Sequence, residues 1–313
     1  MNLSYSPLSI RDLFLIIFCF AAKPAQAFST GTPALRRHCL GKSCQTTFAP
    51  FPTSNYCSAN LQKVSRAMTS SDGPTEGAAW PPTDRLSDYV TESNLVDYSK
   101  LAKEEGTWLA PVIRQIKLTD PQQMGNAERH AFLINAYNLW TLHWVIRERR
   151  WPWWKGAVST LAKARFFYWH RIATGAGSRN LFNFENKDIR PEVNDARVHF
   201  ALNCASMSCP PLRRNLFTAA DLDEELDEIT SAAINGGAFV QLTCDGKLSV
   251  NPIFKWYKED FDKEGGMLTF IRKHWTGATP LSSDIPIDFF EYDWRTNSVD
   301  SKWADRPLGG PAP

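Results

Sequence analysis

Residues 198–212 read VHFALNCASMSCPPL, and within them a strand-like run meets a loop rich in reactive side chains. Because side chains alternate between the two faces of a strand, the run predicts one core face and one polar face. The predicted core face holds Val198, Phe200, Leu202 and Cys204, and the polar face holds His199, Ala201 and Asn203. Pro210 and Pro211 end the strand pattern and predict a stiff loop over residues 206–211. Any chemistry of this protein is expected at that loop.

The strongest helix pattern covers residues 127–150, and its apolar positions lie nearly all round the helix, as in a large core. Glu128, Asn135 and Asn138 share one stripe of this helix. An unsatisfied buried amide costs about 1–3 kcal/mol, so both asparagines need partners. One interpretation is that they hydrogen-bond irregular backbone of the loop around Cys209. The other, compatible with it, is that they orient a catalytic histidine or bind a substrate.

The remaining patterns predict shorter elements around this helix. They indicate a helix over residues 95–118 with a kink or boundary at Pro111, a helix that follows Thr218 and Asp221 and runs to about Ile234, a hairpin over residues 239–250, and helices over residues 253–261 and 268–275. Gly175-Ala176-Gly177 lacks the third glycine of a nucleotide-binding loop and is predicted to be a turn. Together these patterns predict an α+β fold, a helix-rich single domain with a small, mainly antiparallel sheet.

The first 71 residues have the composition of targeting segments. Residues 1–27 combine Arg11, an apolar run too short to cross a bilayer and a small-x-small pattern ending at Ala27, which predicts a cleaved signal peptide. Residues 28–71 contain no Asp or Glu and are typical of a transit peptide. With Phe28 at the junction, the two parts resemble the plastid presequence of algae with secondary plastids. Plastid localisation is therefore expected, with secretion as the alternative, followed by a linker (72–93), the domain (94–297) and a loose tail (298–313).

The charge of the protein divides at the same boundary. The chain has 35 Lys and Arg and 33 Asp and Glu, but its first 71 residues hold seven of the basic residues and one of the acidic ones. The remaining body has a net charge of −4. A body with this charge lacks the positive surface that nucleic acid requires. Its three cysteines, Cys204, Cys209 and Cys244, are too few for a disulfide framework. A single disulfide between Cys204 and Cys209 remains an alternative.

An aromatic and basic run follows the long helix. Half of the 12 tryptophans fall within 30 residues, namely Trp140, Trp144, Trp151, Trp153, Trp154 and Trp169, and Arg147, Arg149, Arg150 and Lys155 lie among them. Such a run suits peripheral contact with a membrane surface through the segment from Trp151 to Lys155. It suits the edge of a core equally, and core packing is the favoured interpretation.

Two motifs carry a family resemblance: residues 131–138, AFLINAYN, and residues 199–204, HFALNC, leading into SCPP at 208–211. They resemble the most recognisable motifs of the family called domain of unknown function 547. Residues 185–190, 253–261 and 292–294 are similar to lesser motifs of that family, so the resemblance spans roughly residues 95–297. The sequence departs from the family where Asn186-Lys187-Asp188 interrupts the middle motif and where residues 151–183 are unusually aromatic. The resemblance implies a fold and the place of a site, but no activity.

The leading functional hypothesis is a non-catalytic module that binds a protein or a small molecule around the loop between His199 and Leu212. Its candidate binding residues are Glu128, Asn135, Asn138, Ser208, Glu185 and Arg190. No cofactor is predicted, and the partner is not specified by the sequence.

The alternative is a thiol-dependent hydrolase or transferase, with Cys209 as nucleophile and His199 as base. Asn203, Asn135 or Asn138 would orient the imidazole or donate to an oxyanion. A metal site built from His199, Cys204 and Cys209 would need a fourth ligand such as Cys244, and this spacing matches no usual zinc site. No metal is therefore predicted.

Overall fold

The computed structural model of the protein describes residues 84–148 and 166–299. The predicted signal peptide, the transit segment, most of the linker and the run from Trp151 to Lys155 lie outside the described residues. Within them, Trp140 is buried and Trp144 stacks on His170 with ring centroids 4.4 Å apart. Trp140 therefore lies inside the domain and the partly buried Trp144 packs against its core, whereas Trp169 is exposed.

The fold is helix-rich α+β, as the sequence predicts. The helices are α1 (Tyr98–Glu104), α2 (Leu109–Leu118), α3 (Asn126–Glu148), α4 (Leu181–Asn183), α5 (Arg190–Val193), α6 (Val198–Ala201), α7 (Leu222–Asn235), α8 (Ile253–Trp256), α9 (Lys258–Lys263) and α10 (Met267–His274). The strands are β1 (Arg171–Thr174), β2 (Gly177–Asn180), β3 (Val240–Leu242), β4 (Leu248–Val250) and β5 (Ile287–Phe289). Single 3-10 turns cover Arg85–Asp88 and Pro121–Gln123, and a π-helical segment, Phe184–Ile189, joins α4 to α5.

Helix α3 forms the centre of the larger core. Every residue from Ala131 to His143 is buried, which explains why apolar residues occur nearly all round the helix. Helices α1 and α2, the π-helical segment and strand β1 pack against it. The helix begins at Asn126, one residue before its predicted start.

The described strands form two small sheets. Strands β1 and β2 are an antiparallel hairpin, which confirms the predicted turn at Gly175. The Gly175 N–H donates to the Thr119 carbonyl oxygen at 2.6 Å, and a Cβ on Gly175 would lie 2.7 Å from Thr119 carbonyl carbon. In the other sheet β3 and β4 form the predicted hairpin, and β5 adds to β4 in parallel.

A second core of phenylalanines lies against the three-stranded sheet. Its largest members are Phe200, Phe239, Phe254, Phe261 and Phe270. Phe200, in α6, belongs to this core, whereas its neighbours Val198 and Ala201 belong to the core around α3. Helix α6 therefore lies between the two cores.

This position explains why the predicted strand over residues 198–204 is wrong. Residues 198–201 form one helical turn, and the extended residues that follow are not part of a sheet. With apolar core on both sides, the segment has no solvent-facing side for a polar face. His199 and Asn203, predicted on that face, are each 2% exposed, whereas Cys204, predicted in the core, is partly exposed.

Two predicted helices are each divided in the structure. The pattern over residues 95–118 forms α1 and α2, and the break comes at residues 105–108 and not at Pro111. Pro111 lies in the first turn of α2, where a missing N–H removes no helical hydrogen bond. The pattern over residues 253–261 forms α8 and α9, which are joined through Tyr257.

The two ends of the described domain meet. The Val96 N–H donates to the Asn297 carbonyl oxygen at 2.8 Å, and the Tyr98 hydroxyl donates to Asn297 Oδ1 at 2.7 Å. Ser298, which the sequence places in a loose tail, is buried. None of the described helices combines the length and the apolar character needed to span a membrane.

Candidate functional site

Asn203 braces the loop that the sequence singles out. Its Nδ2 donates to the Pro210 carbonyl oxygen at 2.6 Å, and its Oδ1 accepts the Ala205 N–H at 2.9 Å. Ala205 adopts a left-handed conformation with φ of 64°, and the Cys209 N–H donates to the Ser206 carbonyl oxygen at 3.1 Å. Asn203 thus holds the two ends of the loop together. It is not the residue that orients His199.

A C-terminal strap, residues 292–298, runs along the outer side of this loop. The Met207 N–H donates to the Arg295 carbonyl oxygen at 2.8 Å, and the Ser208 N–H donates to that of Asp293 at 3.1 Å. The Ser208 hydroxyl accepts the Asp293 N–H at 2.8 Å. Ser208, a candidate binding residue from sequence, therefore fixes the strap.

The asparagines of α3 bind backbone. Asn138 donates to the Ala201 carbonyl oxygen at 2.9 Å and accepts the Asn203 N–H at 2.8 Å, so it holds the segment that joins α6 to the loop. Asn135 makes the equivalent pair of hydrogen bonds to the N–H and the carbonyl oxygen of Phe217, beyond the loop. Both amides bind backbone groups, as their burial requires, but these partners lie outside the loop of residues 206–211 in which the sequence predicts them. Glu128, on the same predicted stripe, is exposed in the first turn of α3.

Behind the loop lies a cavity of about 120 Å³. Its polar wall contains Glu185, Arg190, His199, Cys204 and Cys209. Its aromatic wall is formed by Tyr137, Phe167, Tyr168, Phe182, Trp256, Tyr257, Tyr292 and Trp294. Of the site residues predicted from sequence, the structure thus brings Glu185, Arg190, His199 and Cys209 to one cavity.

A carboxylate that the sequence analysis did not single out orients His199. Asp260 Oδ2 lies 2.9 Å from His199 Nε2 and accepts a hydrogen bond of 2.7 Å from Arg190 Nε. Burial alone would raise the pKa of Asp260, but the hydrogen bonds from His199 and Arg190 outweigh it and hold that pKa well below its usual range. An ionised carboxylate only accepts, so Nε2 of His199 carries the proton and Nδ1 carries the lone pair.

His199 is a neutral base at pH 7. Burial of His199 lowers the pKa of its imidazole. The hydrogen bond to Asp260 raises that pKa, but by less. The ring stacks on Tyr257 with centroids 3.9 Å apart. Nothing in the described part of the chain hydrogen-bonds its Nδ1 atom, and the residue lines the cavity.

The π-helical segment positions the other charged groups of the polar wall. Glu185 accepts hydrogen bonds from the hydroxyls of Tyr137, at 3.2 Å, and Tyr257. Arg190 donates to Asn186 Oδ1 at 2.6 Å, so Asn186, which interrupts the family motif, supports Arg190. Burial, together with the charge of Glu185, raises the pKa of both tyrosines well above the usual value, so they remain donors. Rare π turns of this kind are frequent at functional sites.

The two cysteines of the loop differ in environment. Cys209 is 8% exposed, its sulfur accepts the Cys204 N–H at 2.8 Å, and burial raises the pKa of its thiol well above the usual value. Cys204 Sγ lies 3.2 Å from the Ser206 hydroxyl and 3.5 Å from the Tyr292 hydroxyl. Burial opposes ionisation of Cys204, but hydrogen bonds from Cys209, Ser206 and Tyr292 outweigh it and lower the pKa to about 7. Cys204 is thus the more exposed and the more acidic of the two thiols, whereas the sequence pattern names Cys209 as the candidate nucleophile.

The residues missed from sequence belong to two distant segments. Asp260 and Tyr257 come from α9 and the residue before it, and Tyr292 comes from the strap. The sequence feature that could have indicated these residues is the similarity of residues 253–261 and 292–294 to family motifs. That similarity assigns no role to any of them.

A metal centre finds no support in the residues described. They contain no cluster of three His, Cys, Asp or Glu side chains placed to hold a metal ion. Cys244, the fourth ligand considered from sequence, is exposed in the turn between β3 and β4.

Comparison with known protein families matches part of the chain. Residues 121–232 match the family described as "Protein of unknown function, DUF547". The matched range includes α3, the π-helical segment, α6 and the loop, but ends before Asp260 and the strap. Neither the curated proteins nor the solved structures contain a match to the chain.

Proposed function

We propose that the domain, of which residues 121–232 match the family of unknown function DUF547, binds a small ligand in the cavity behind the loop. The observation that carries the proposal is the convergence of Glu185, Arg190, His199 and Cys204 on one cavity. Burying titratable groups is costly unless they are paired, and here hydrogen bonds hold each of them beside space that no side chain fills.

The size and walls of the cavity restrict the ligand. Pockets for drug-sized molecules measure roughly 300–1,000 Å³, and this cavity measures about 120 Å³. The occupant is therefore a small molecule or one group of a larger molecule. Aromatic walls with a few fixed polar groups are typical of such sites, and the negative charge of the body disfavours nucleic acid.

The test is a set of small probes that differ in charge: acetate, methylammonium and acetamide. The melting temperature of the full chain is measured with each probe, in the wild type and after Glu185→Gln or Arg190→Gln. We expect at least one probe to raise the melting temperature of the wild type, and one of the two variants to lose that shift. Glu259→Gln, which changes an exposed carboxylate beside Asp260, should keep it.

Two results would overturn this proposal. One is the absence of any shift with all three probes. The other is a shift of equal size in the wild type and in both cavity variants, because the probe would then bind elsewhere.

A second candidate function is a thiol-dependent hydrolase or transferase with Cys204 as nucleophile. The specific observation in its favour is the placement of this thiol, with a pKa of about 7, in the same cavity as the neutral His199. The lowered pKa of Cys204 favours its thiolate form, and Asp260 fixes the imidazole, as the third group does in catalytic triads. His199 Nδ1 would accept the Cys204 proton, and the thiolate would attack an acyl carbon to form a thioester. The bond from that carbon to its leaving group would break, and His199 would pass the proton to the leaving group.

The pH dependence of alkylation by iodoacetamide tests this candidate, with Cys204, Cys209 and the exposed Cys244 resolved by fragment-ion mass spectrometry. We expect Cys204 to react with an apparent pKa near 7, and this value to change in His199→Ala. If Cys209 reacts faster than Cys204 in the folded protein, or if Cys204 behaves as an ordinary thiol of pKa about 8.5, the candidate fails.

We also propose that residues 1–71 direct the protein to a plastid. The support is the signal-like segment followed by an acid-free segment that begins at Phe28. Residues 1–71 and residues 1–27 would each be fused to a fluorescent protein in an alga with secondary plastids. The longer fusion should reach the plastid and the shorter one the secretory pathway, whereas secretion of both would leave ordinary secretion as the destination.

A further inference from the structure

We propose that Cys204 and Cys209 form a reversible dithiol–disulfide pair in the wall of the cavity. This modification goes beyond ligand binding and does not depend on it. Both residues are free thiols in the structure and line the same cavity.

The loop brings the two cysteines together. The Cys209 sulfur accepts the Cys204 N–H at 2.8 Å, which places it within roughly 4.3 Å of Cys204 Cα, since N and Cα are about 1.5 Å apart. The left-handed Ala205 and the turn from Ser206 to Cys209 fold the chain back between the two positions, and the Asn203 brace fixes both ends. A bond between the sulfurs therefore requires rotation of the side chains more than movement of the backbone.

The environments of the two thiols suit different steps of disulfide formation, namely attack on the oxidant for Cys204 and closure of the disulfide for Cys209. Cys204 is partly exposed and is the more acidic thiol, so it is the group that attacks an incoming oxidant. Cys209 is buried, and burial raises its pKa, so it remains protonated until a neighbouring sulfur becomes electrophilic. A low-pKa attacking thiol beside a protonated second thiol is the arrangement of a resolving pair.

The reaction balances with a low-molecular-weight disulfide as oxidant. The Cys204 thiolate attacks one sulfur of that disulfide, breaks its S–S bond and releases a thiolate. The released thiolate takes the proton of Cys209, and the Cys209 sulfur attacks Cys204 and expels the second thiolate, which takes up the proton that Cys204 had lost to water. Two protein thiols are thus oxidised to one disulfide, and the small disulfide is reduced to two thiols.

Oxidation has a direct consequence for the cavity. Cys204 can no longer form a thiolate held by the Ser206 and Tyr292 hydroxyls. The reactive group of the polar wall is therefore lost while Glu185, Arg190 and His199 stay in place.

The test incubates the full chain with oxidised glutathione, blocks remaining thiols with N-ethylmaleimide and analyses the tryptic peptides. Both cysteines lie between Arg197 and Arg213 with no intervening Lys or Arg, so trypsin leaves them in one peptide. We expect this peptide to lose two hydrogens and to carry no maleimide. Reduction with excess dithiothreitol should restore two reactive thiols.

Single cysteine variants separate the attack on oxidised glutathione from the formation of the Cys204–Cys209 bond. Cys209→Ser should accumulate a glutathione adduct on Cys204, Cys204→Ser should leave Cys209 unmodified, and Cys244→Ser should oxidise like the wild type. Melting curves of the reduced variants check that each is folded, and Cys209→Ala replaces Cys209→Ser if the latter is not. The proposal is overturned if the wild type stops at the glutathione adduct, links either residue to another cysteine, or remains reduced. Binding of the small probes to reduced protein is measured separately, so either proposal can fail alone.

Discussion

Replacement of Asn138 by leucine should weaken both the fold and the reactive thiol. The amide holds the Ala201 carbonyl oxygen and the Asn203 N–H at 2.9 and 2.8 Å, and it is 4% exposed. Leucine has a similar volume but satisfies neither group. Each unpaired buried group costs about 1–3 kcal/mol, so we expect the free energy of unfolding to fall by about 2–6 kcal/mol, a large part of the 5–15 kcal/mol typical of domains.

Asn135→Leu is the matched control, because it removes the same two kinds of hydrogen bond, to Phe217, from the same helix. Urea unfolding of the full chain should show a similar loss for both variants. Only Asn138→Leu should also raise the apparent pKa for alkylation of Cys204, since Asn203 directly precedes that residue. A loss of stability below about 1 kcal/mol, or an equal effect of both variants on Cys204, would refute this reasoning.

Three further predictions concern single contacts. Tyr292→Phe removes a hydroxyl that stabilises the Cys204 thiolate, so the apparent pKa for alkylation of Cys204 should rise above 7 and its rate at pH 7 should fall. Gly175→Ala brings a Cβ to 2.7 Å from Thr119 carbonyl carbon, so it should lower the melting temperature markedly. Asp260 has a lowered pKa in the folded protein, so it stabilises the fold above its unfolded pKa of about 3.9, and this contribution disappears as the pH falls through the folded pKa. Asp260→Asn should therefore be less stable than the wild type at pH 7, by a difference that shrinks below about pH 4.

Each of these three predictions would be contradicted by one experimental result. Gly106→Ala is the control for Gly175→Ala, because a Cβ on Gly106 meets no atom within 4 Å, and equal melting temperatures of the two variants would contradict the close-approach argument. An unchanged alkylation profile in Tyr292→Phe would show that the other hydroxyl suffices. A constant stability difference between Asp260→Asn and the wild type from pH 7 to pH 2 would exclude the ionised Asp260 as its cause.

The sequence predicts those parts of the site that depend on local pattern. The continuous apolar surface of α3 marks a helix buried on all sides, and its two asparagines indicate that irregular backbone packs against it. The need of a buried amide for partners is a local property, so it can be recognised before the fold is known. The partners themselves, Phe217 for one amide and Ala201 and Asn203 for the other, are set by packing.

The errors come from contacts between distant segments. Alternation predicts a strand over residues 198–204 only if one side faces water, and α6 has apolar core on both sides. The different acidities of Cys204 and Cys209 depend on Tyr292, 88 residues from Cys204, and on which sulfur accepts the Cys204 N–H. The orientation of His199 depends on Asp260, 61 residues away. No spacing rule within one motif contains these pairings.

The strap also determines when the site can form during synthesis. The loop at Met207 and Ser208 receives its backbone partners from Asp293 and Arg295, near the end of the described domain. The ribosome therefore has to release almost the whole domain before these amides are paired, whereas α3 and the hairpin it packs against are complete more than 100 residues earlier. A chain that ends at Phe290 should keep the core around α3 yet lack an ordered loop, so synthesis of the last few residues of the domain is the step that completes the site.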